Sequence, residues 1–149
     1  VRVMAEVVQE TERHIDYVKL FRQNEFKIQN RVDAISHATC GMAIDIGAKA
    51  IVVCSRSGIT VRMVSRFRAP TDILGMATNK RVWYKLALSW GVLPVLSEQF
   101  TSTDVLFYHA LRAAKENLDL KPGDSVVMTG GITNGKSGNT NLIKIETVE

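Results

Sequence analysis

The sequence has few of the features that mark disulfide-rich, metal-binding or membrane proteins. Its two cysteines, Cys40 and Cys54, lie in apolar segments without CxxC spacing, so each is predicted to be a buried small hydrophobe rather than a ligand. No apolar run approaches the roughly 20 residues of a membrane span, and no signal-peptide pattern is present. We therefore expect a cytoplasmic protein with no membrane partner.

Strong charge and familiar catalytic motifs are also missing. The net charge is +4 and the cations are scattered along the sequence, which argues weakly for anionic ligands and against nucleic acid as a partner. The three histidines are far apart and have no metal-ligand spacing. Gly135-Lys136-Ser137 lacks the upstream glycine of a P-loop, and no nucleophile elbow is present. By itself, the sequence is poorly equipped for catalysis.

The most informative stretch runs from Ile51 to Phe67. An apolar run of strand length ends in a short loop with hydroxyls and one glycine, and a helical pattern follows. Backbone N–H groups at a helix start lack internal partners, and the helix dipole favours an anion there. Hydroxyls and a glycine that admits close approach suit a phosphate; here they are Ser55, Ser57, Gly58 and Thr60. The alternative is that Ser57 or Thr60 only caps the helix, with Gly58 easing the turn.

Short apolar strands alternate with amphipathic helices along the rest of the chain. Strands are predicted at 49–54, 72–77, 92–96, 125–129 and 141–148, and helices at 31–47, 61–68, 80–90 and from 103 onward. This alternation predicts a three-layer α/β/α fold around a five-stranded, mostly parallel sheet. No helix joins the last two strands, so the fifth should run antiparallel. Pro94 predicts an edge position for the third strand.

The winding direction of the sheet decides which loops meet. If it reverses between the third and fourth strands, the first and fourth strands become neighbours. Their carboxyl-end loops, residues 55–60 and 130–139, then flank the topological switch point where α/β sheets bind ligands. Lys136 and Ser137 would add a charge and a donor to the second loop. The alternative for that loop is a hairpin connection that binds no ligand.

The first residues form an amphipathic helical pattern that precedes this fold. Its apolar positions recur at three- and four-residue steps: Val1, Met4, Val8, Ile15 and Val18. A break is predicted near residues 11–14, and the polar stretch 21–30 is predicted to be a connection at a domain boundary. Because the first residue is Val1 rather than methionine and lies inside a helical pattern, we expect the chain to be a piece of a longer protein.

Several segments together resemble the C-terminal domain of pyruvate kinase. They are Ala34-Ile35-Ser36-His37-Ala38, Ile46 to Val52, Ser55-Arg56-Ser57-Gly58, Phe67-Arg68-Ala69-Pro70, Gly91 to Val95, Lys121 to Asp124 and Ser137 to Asn141. The resemblance covers essentially the whole chain. It implies that residues 1–29 are the last helix of the family's barrel with a connection, and that residues 30–149 are the C-terminal α/β domain, with regulatory and oligomerisation roles.

The same resemblance implies an activity for the parent protein and no active site in this chain. The parent would transfer a phosphoryl group from phosphoenolpyruvate to ADP in glycolysis, giving pyruvate and ATP. Its catalytic residues and its Mg and K ions would lie in the barrel, which is absent here, so we expect no catalytic residue, metal or cofactor in this chain. The parent would be a tetramer, with one interface formed by the first helices and last strand of this domain.

By position, the resemblance also implies an allosteric effector site. The effector phosphate would bind the first loop: Ser55, Arg56, Ser57, Gly58 and Thr60. The second loop would close over the effector: Gly135, Lys136, Ser137, Gly138, Asn139 and Thr140. The expected effector is a sugar monophosphate or a nucleotide.

One departure from the family pattern bears on which effector binds. Relatives that are activated by fructose 1,6-bisphosphate use a tryptophan and an arginine before and within the fourth helix. Residues 99–107 contain neither, and Leu106 falls at the arginine's position. A charge-assisted hydrogen bond worth about 1.5–3 kcal/mol would therefore be missing. We predict a preference for ribose 5-phosphate, glucose 6-phosphate or AMP over the bisphosphate.

The sequence leaves two other roles open. The chain could be a free-standing small-molecule-binding protein, similar to pyruvate kinase C-terminal-like proteins that lack a barrel. It could also act mainly in assembly, because an open strand edge at Leu142 to Val148 can pair across a two-fold axis.

Overall fold

The computed structural model describes residues 1–131 and 139–149, which fold into helices on both faces of one sheet. The helices are α1 (Arg2–Arg13), α2 (Tyr17–Gln23), α3 (Arg31–Asp45), α4 (Ile59–Arg66), α5 (Lys80–Leu86) and α6 (Thr103–Asn117), and the strands are β1 (Ala50–Cys54), β2 (Asp72–Ala77), β3 (Val92–Leu96), β4 (Ser125–Gly131) and β5 (Thr140–Thr147).

The five strands form one sheet in the order β3-β2-β1-β4-β5. The strands β1 to β4 pair in parallel, and β5 runs antiparallel to β4, as predicted. The strand with Pro94 lies at one edge of the sheet, which confirms the interpretation of that proline. Because β1 pairs with both β2 and β4, the winding direction reverses beside β1, and the carboxyl ends of β1 and β4 are neighbours.

Alternate residues of the central strands bury into two separate cores, because successive side chains of a strand point to opposite faces. On one face, Ile51 and Val53 pack with residues of α3, α4 and α5. On the other face, Val52 and Met128 pack with α6. All five residues of β1 are buried, as expected for a central strand that is covered on both faces.

Most predicted boundaries lie within two residues of the observed ones, and three differences have a clear physical reason. Residues 21–23, predicted as connection, continue α2, because Phe21 is buried in the core. Helix α5 ends at Leu86 rather than Trp90, since the chain turns there to bring β3 beside β2. Strand β4 continues through Gly130 and Gly131, beyond the predicted end at residue 129, because β5 pairs with them across a register shift.

The N-terminal helices differ from the rest of the chain in burial. No side chain of α1 is buried, and Phe21 is the buried residue of α2. The break between these helices falls at residues 14–16, close to the predicted position. Within the described part of the chain, no helix has the length and apolar character that crossing a membrane requires. The domain boundary between residues 29 and 30 stays a prediction.

Candidate functional site

The predicted phosphate-binding segment, residues 55–60, comprises the β1–α4 loop and the first two residues of α4, and it is built around Gly58. This glycine is the N-cap of α4 and has a left-handed backbone, with φ of 76°. Its N–H donates to Ser55 Oγ at 3.1 Å. A Cβ at this position would lie 2.9 Å from Val82 Cγ1 and 3.2 Å from Leu86 Cδ2. Both the backbone conformation and the close packing of α5 therefore require glycine here.

The start of α4 offers donors that the helix itself does not use. The first hydrogen bond of the helix is donated by the N–H of Arg62 to the carbonyl of Gly58, at 3.1 Å. The N–H groups of Ile59, Thr60 and Val61 come before it and have no acceptor within the helix. Among residues 1–131 and 139–149, no side chain makes a capping hydrogen bond to this helix. The alternative in which Ser57 or Thr60 serves only as a cap is therefore wrong, and the helix start has the arrangement that suits an anion.

The predicted loop residues differ in their access to solvent. Arg56 and Ser57 are exposed, Ser55 is half-buried, and Thr60 is buried. An anion above the loop would therefore meet the Ser57 hydroxyl and the Arg56 guanidinium from the solvent side. It would meet Thr60 only at the base of the site.

The second loop returns to the first through its described end. Thr60 Oγ1 lies 2.7 Å from Thr140 Oγ1, a hydrogen bond that joins residues 80 positions apart. Asn139 and Thr140 form the end of this loop, and Thr140 pairs with Gly131 in the sheet. The first loop and the end of the second thus share one edge. Four of the predicted loop residues lie outside the described residues: Gly135, Lys136, Ser137 and Gly138.

The other side of this edge is apolar and belongs to α6. A Cβ built at Gly130 would lie 3.3 Å from Cys54 Cβ, 3.5 Å from Phe107 Cε1 and 3.7 Å from Leu106 Cδ2. The first turns of α6 therefore pack directly on the ends of β1 and β4. The position that the family resemblance assigns to an arginine is occupied by this leucine, half-buried against the sheet.

Sequence reasoning missed two features of the site. It did not foresee the Thr60–Thr140 hydrogen bond, since no local pattern links residues so far apart. It also did not foresee the close approach of α6 to Gly130. A glycine within a strand pattern was the available signal for the second feature, because such a residue often marks close packing.

Neither cysteine contributes reactive chemistry. Cys40 and Cys54 are buried, as predicted, and burial raises the pKa of each thiol to about 12. Both thiols are therefore protonated at neutral pH and poor nucleophiles. Among residues 1–131 and 139–149, no cluster of His, Cys, Asp or Glu is arranged to hold a metal ion.

Together, the sheet order and the polar edge define an α/β domain with a candidate ligand site at its topological switch point. The sequence profile described as "Pyruvate kinase, alpha/beta domain" matches residues 33–146. The chain belongs to the pyruvate kinase family and matches the C-terminal part of those proteins.

Individual relatives agree with this assignment. Pyruvate kinase of Clostridium acetobutylicum is 38% identical over 152 residues, which include all of this chain and 32% of that protein. Pyruvate kinase of Lactobacillus delbrueckii subsp. bulgaricus is 34% identical, over 99% of this chain and 26% of that protein. The crystal structure of a pyruvate kinase from Cryptosporidium parvum has a TM-score of 0.83 and 26% identity, and covers 97% of this chain. The chain thus spans about a third or less of the length of these relatives.

Proposed function

We propose that this chain is the effector-binding C-terminal domain of a cytoplasmic pyruvate kinase. The observation that carries the proposal is the meeting of the two loops at one edge, through Thr60 and Thr140, beside the open start of α4. The parent enzyme transfers a phosphoryl group from phosphoenolpyruvate to ADP in glycolysis, and its barrel supplies the catalytic residues and the Mg and K ions. This domain contributes regulation rather than chemistry.

The proposed effector phosphate binds at the N-terminus of α4. Ile59, Thr60 and Val61 offer backbone N–H groups whose dipoles align with the helix, which favours a negative charge. The exposed Ser57 hydroxyl donates another hydrogen bond, and Arg56 adds a positive charge on the same loop. Gly58 keeps the backbone uncovered, so that the phosphate can approach these groups.

The proposed effector carries one phosphate. The opposite side of the edge presents Leu106 and Phe107 against Gly130. A second phosphate placed there would lose water without gaining a cationic partner, which is unfavourable. A sugar hydroxyl face or a nucleotide base tolerates such a surface better. This supports glucose 6-phosphate, ribose 5-phosphate or AMP over fructose 1,6-bisphosphate.

Calorimetric titration tests the proposal. The chain, and the full-length enzyme where available, would be titrated with glucose 6-phosphate, ribose 5-phosphate, AMP and fructose 1,6-bisphosphate. We expect saturable binding of at least one monophosphate, and bisphosphate binding no tighter than that. Bisphosphate binding far tighter than every monophosphate would overturn the selectivity, and no binding of any of the four would overturn the effector site.

We also propose that this domain contacts its own barrel and a second copy of itself. The outer side of β5 is an unpaired sheet edge, which favours pairing with another strand. The surface of α1 exposes apolar side chains, including Val3 and Met4, which suits packing against the preceding domain. Light scattering tests the contact between two copies. We expect the chain to dimerise, and a monomer at high concentration would contradict a contact made by this domain alone.

The length of the reading frame separates this proposal from a free-standing binding protein. We expect a barrel domain to be encoded upstream of Val1. A reading frame that encodes no such domain would favour the free-standing alternative, while leaving the effector site to be judged by calorimetry.

A further inference from the structure

Trp90, in the turn between α5 and β3, contacts α1, α2 and the end of α4. Its indole N–H donates to Glu12 Oε1 at 2.6 Å, and its ring lies 5.0 Å from that of Tyr17. The Arg68 guanidinium lies over the ring, 4.7 Å from its centre. The backbone carbonyl of Trp90 accepts a hydrogen bond from Ser65 Oγ at 2.6 Å. This residue therefore joins both N-terminal helices to the α/β domain.

The contact with Glu12 matters because α1 has little else to hold it. No side chain of α1 is buried. Its ion pairs join residues within the helix or at its end, as in Arg2–Glu6 and Arg13–Glu10. Such exposed pairs contribute little to stability. The hydrogen bond from the half-buried indole to the Glu12 carboxylate is the stronger interaction, since it is charge-assisted and less screened by solvent than these exposed pairs.

A single short helix connects Trp90 with the candidate phosphate site. Helix α4 has eight residues, about 12 Å in length. Thr60, in its first turn, bonds to Thr140, and Ser65, in its last turn, bonds to Trp90. A shift of the whole helix would therefore change both hydrogen bonds.

Arg68 adds a strained element to this connection. Its φ is 54°, and in the described part of the chain every other residue with a positive φ is a glycine. For an L-residue this conformation is unfavourable, so surrounding contacts must hold it. The stacking of its guanidinium on Trp90 is one such contact. A displacement of α4 would therefore act on the backbone of Trp90 through Ser65 and on its indole through Arg68.

We infer that Trp90 is a positioning residue that holds the N-terminal helices on the α/β domain, and that a phosphate bound at the start of α4 changes the surroundings of its indole. This inference rests on the proposed function, because its ligand is the proposed effector phosphate. Linkage is reciprocal. If phosphate binding changes the equilibrium constant for forming the Trp90 contacts by some factor, forming those contacts must change the phosphate affinity by the same factor.

The first test observes Trp90 directly. The chain has two tryptophans, Trp83 and Trp90. Labelling the wild-type protein with 5-fluorotryptophan gives two ¹⁹F resonances, and Trp90→Phe assigns them. On titration with glucose 6-phosphate, we expect the Trp90 resonance to shift with the same midpoint as the calorimetric heat. Heat without a shift would overturn the coupling alone, whereas the absence of heat with every effector tested would overturn it together with the proposed function.

The second test concerns the docking of α1 and needs no ligand. Trp90→Phe keeps an aromatic ring but removes the N–H that donates to Glu12. We expect trypsin to cleave at Arg13 at least about tenfold faster in this variant, and in Glu12→Ala, than in wild type. Trp83→Phe is the matched control, because the indole of Trp83 donates to the carbonyl of Pro94 and does not bond to α1. Equal cleavage rates in all four proteins would overturn the positioning role.

Discussion

Helices α4 and α6 begin at the same edge of the sheet, on its opposite faces, and their first turns differ in chemistry. Helix α4 begins at a left-handed glycine, with hydroxyls on the preceding loop and within the first turn. Helix α6 begins at Ser102, which makes no capping bond through its side chain, and packs Leu106 and Phe107 on Gly130. One sheet edge thus has donors suited to an anion on one side and apolar side chains on the other.

The largest expected effect follows from removing the hydroxyls on the α4 side. Hydrogen bonds to a charged group contribute roughly 1.5–3 kcal/mol each. Replacing Ser57 and Thr60 together with alanine removes two hydroxyls and should therefore weaken glucose 6-phosphate binding by at least about a hundredfold in calorimetry.

Two further variants make this result specific. Thr60→Ser keeps the hydroxyl that bonds to Thr140 and should bind nearly as wild type does. Ser102→Ala changes the cap of the other helix and should leave affinity unchanged. If the double variant retains wild-type affinity, the two helix starts do not differ in the way proposed.

A smaller effect is expected from replacing the glycine that begins α4. Gly58→Ala forces a left-handed L-residue, and its Cβ meets Val82 at 2.9 Å. We expect a loss of about 2–4 kcal/mol in the free energy of unfolding, measured by urea denaturation. The control is Gly91→Ala, which has a φ of 66° but nothing within 4 Å of the new Cβ. It should lose only about 1–2 kcal/mol. Equal losses in the two variants would mean that the contact between the new Cβ and α5 adds nothing to the loss of stability.

The α6 side can be made to resemble a bisphosphate site. Leu106→Arg places a cation at the apolar wall beside Gly130. A new charge-assisted contact of roughly 1.5–3 kcal/mol corresponds to about a ten- to hundred-fold gain in fructose 1,6-bisphosphate affinity. Calorimetry with the bisphosphate measures the gain, and glucose 6-phosphate serves as the matched ligand whose affinity should change little. An unchanged bisphosphate affinity would argue against Leu106 as the selective residue.

The smallest expected effect is a loss of stability at high pH that comes from the two cores, each of which contains one thiol. Cys40 packs on the α4 side and Cys54 on the α6 side, and burial raises the pKa of both to about 12 from an ordinary 9.0. The unfolded chain loses these protons near pH 9 and the folded protein does not, so their contribution to stability is present below pH 9 and is lost as the pH rises toward 12.

Denaturation at several pH values measures this effect against a matched variant. Between pH 8 and pH 10, the wild type should lose more stability than Cys40→Ala/Cys54→Ala. Identical slopes would contradict the raised pKa values. In the folded wild type at pH 8, both thiols should also resist a disulfide reagent, and fast reaction of one of them would identify the core that opens.

Several elements were predictable because their determinants are local. The strands at 72–77 and 92–96 have the predicted bounds, since apolar runs of this length between turn residues favour strands. Pro94 placed β3 at an edge because proline cannot donate to a neighbouring strand. Gly58 was singled out from the loop composition, and the structure gives it the left-handed conformation that glycine accommodates. The predicted end of α5 was wrong because the fold required a turn that the helical pattern did not indicate.

Local sequence patterns were enough to predict the order and type of the strands and helices, their buried faces, and a loop with donors suited to an anion. Periodicity, glycine and proline act over a few residues, so they can be interpreted without the fold. The packed fold was needed to show that β1 and β4 are neighbours, that Thr60 bonds to Thr140, and that Trp90 joins Glu12 to the end of α4. These contacts join residues about 80 positions apart, and they depend on how the packed sheet winds.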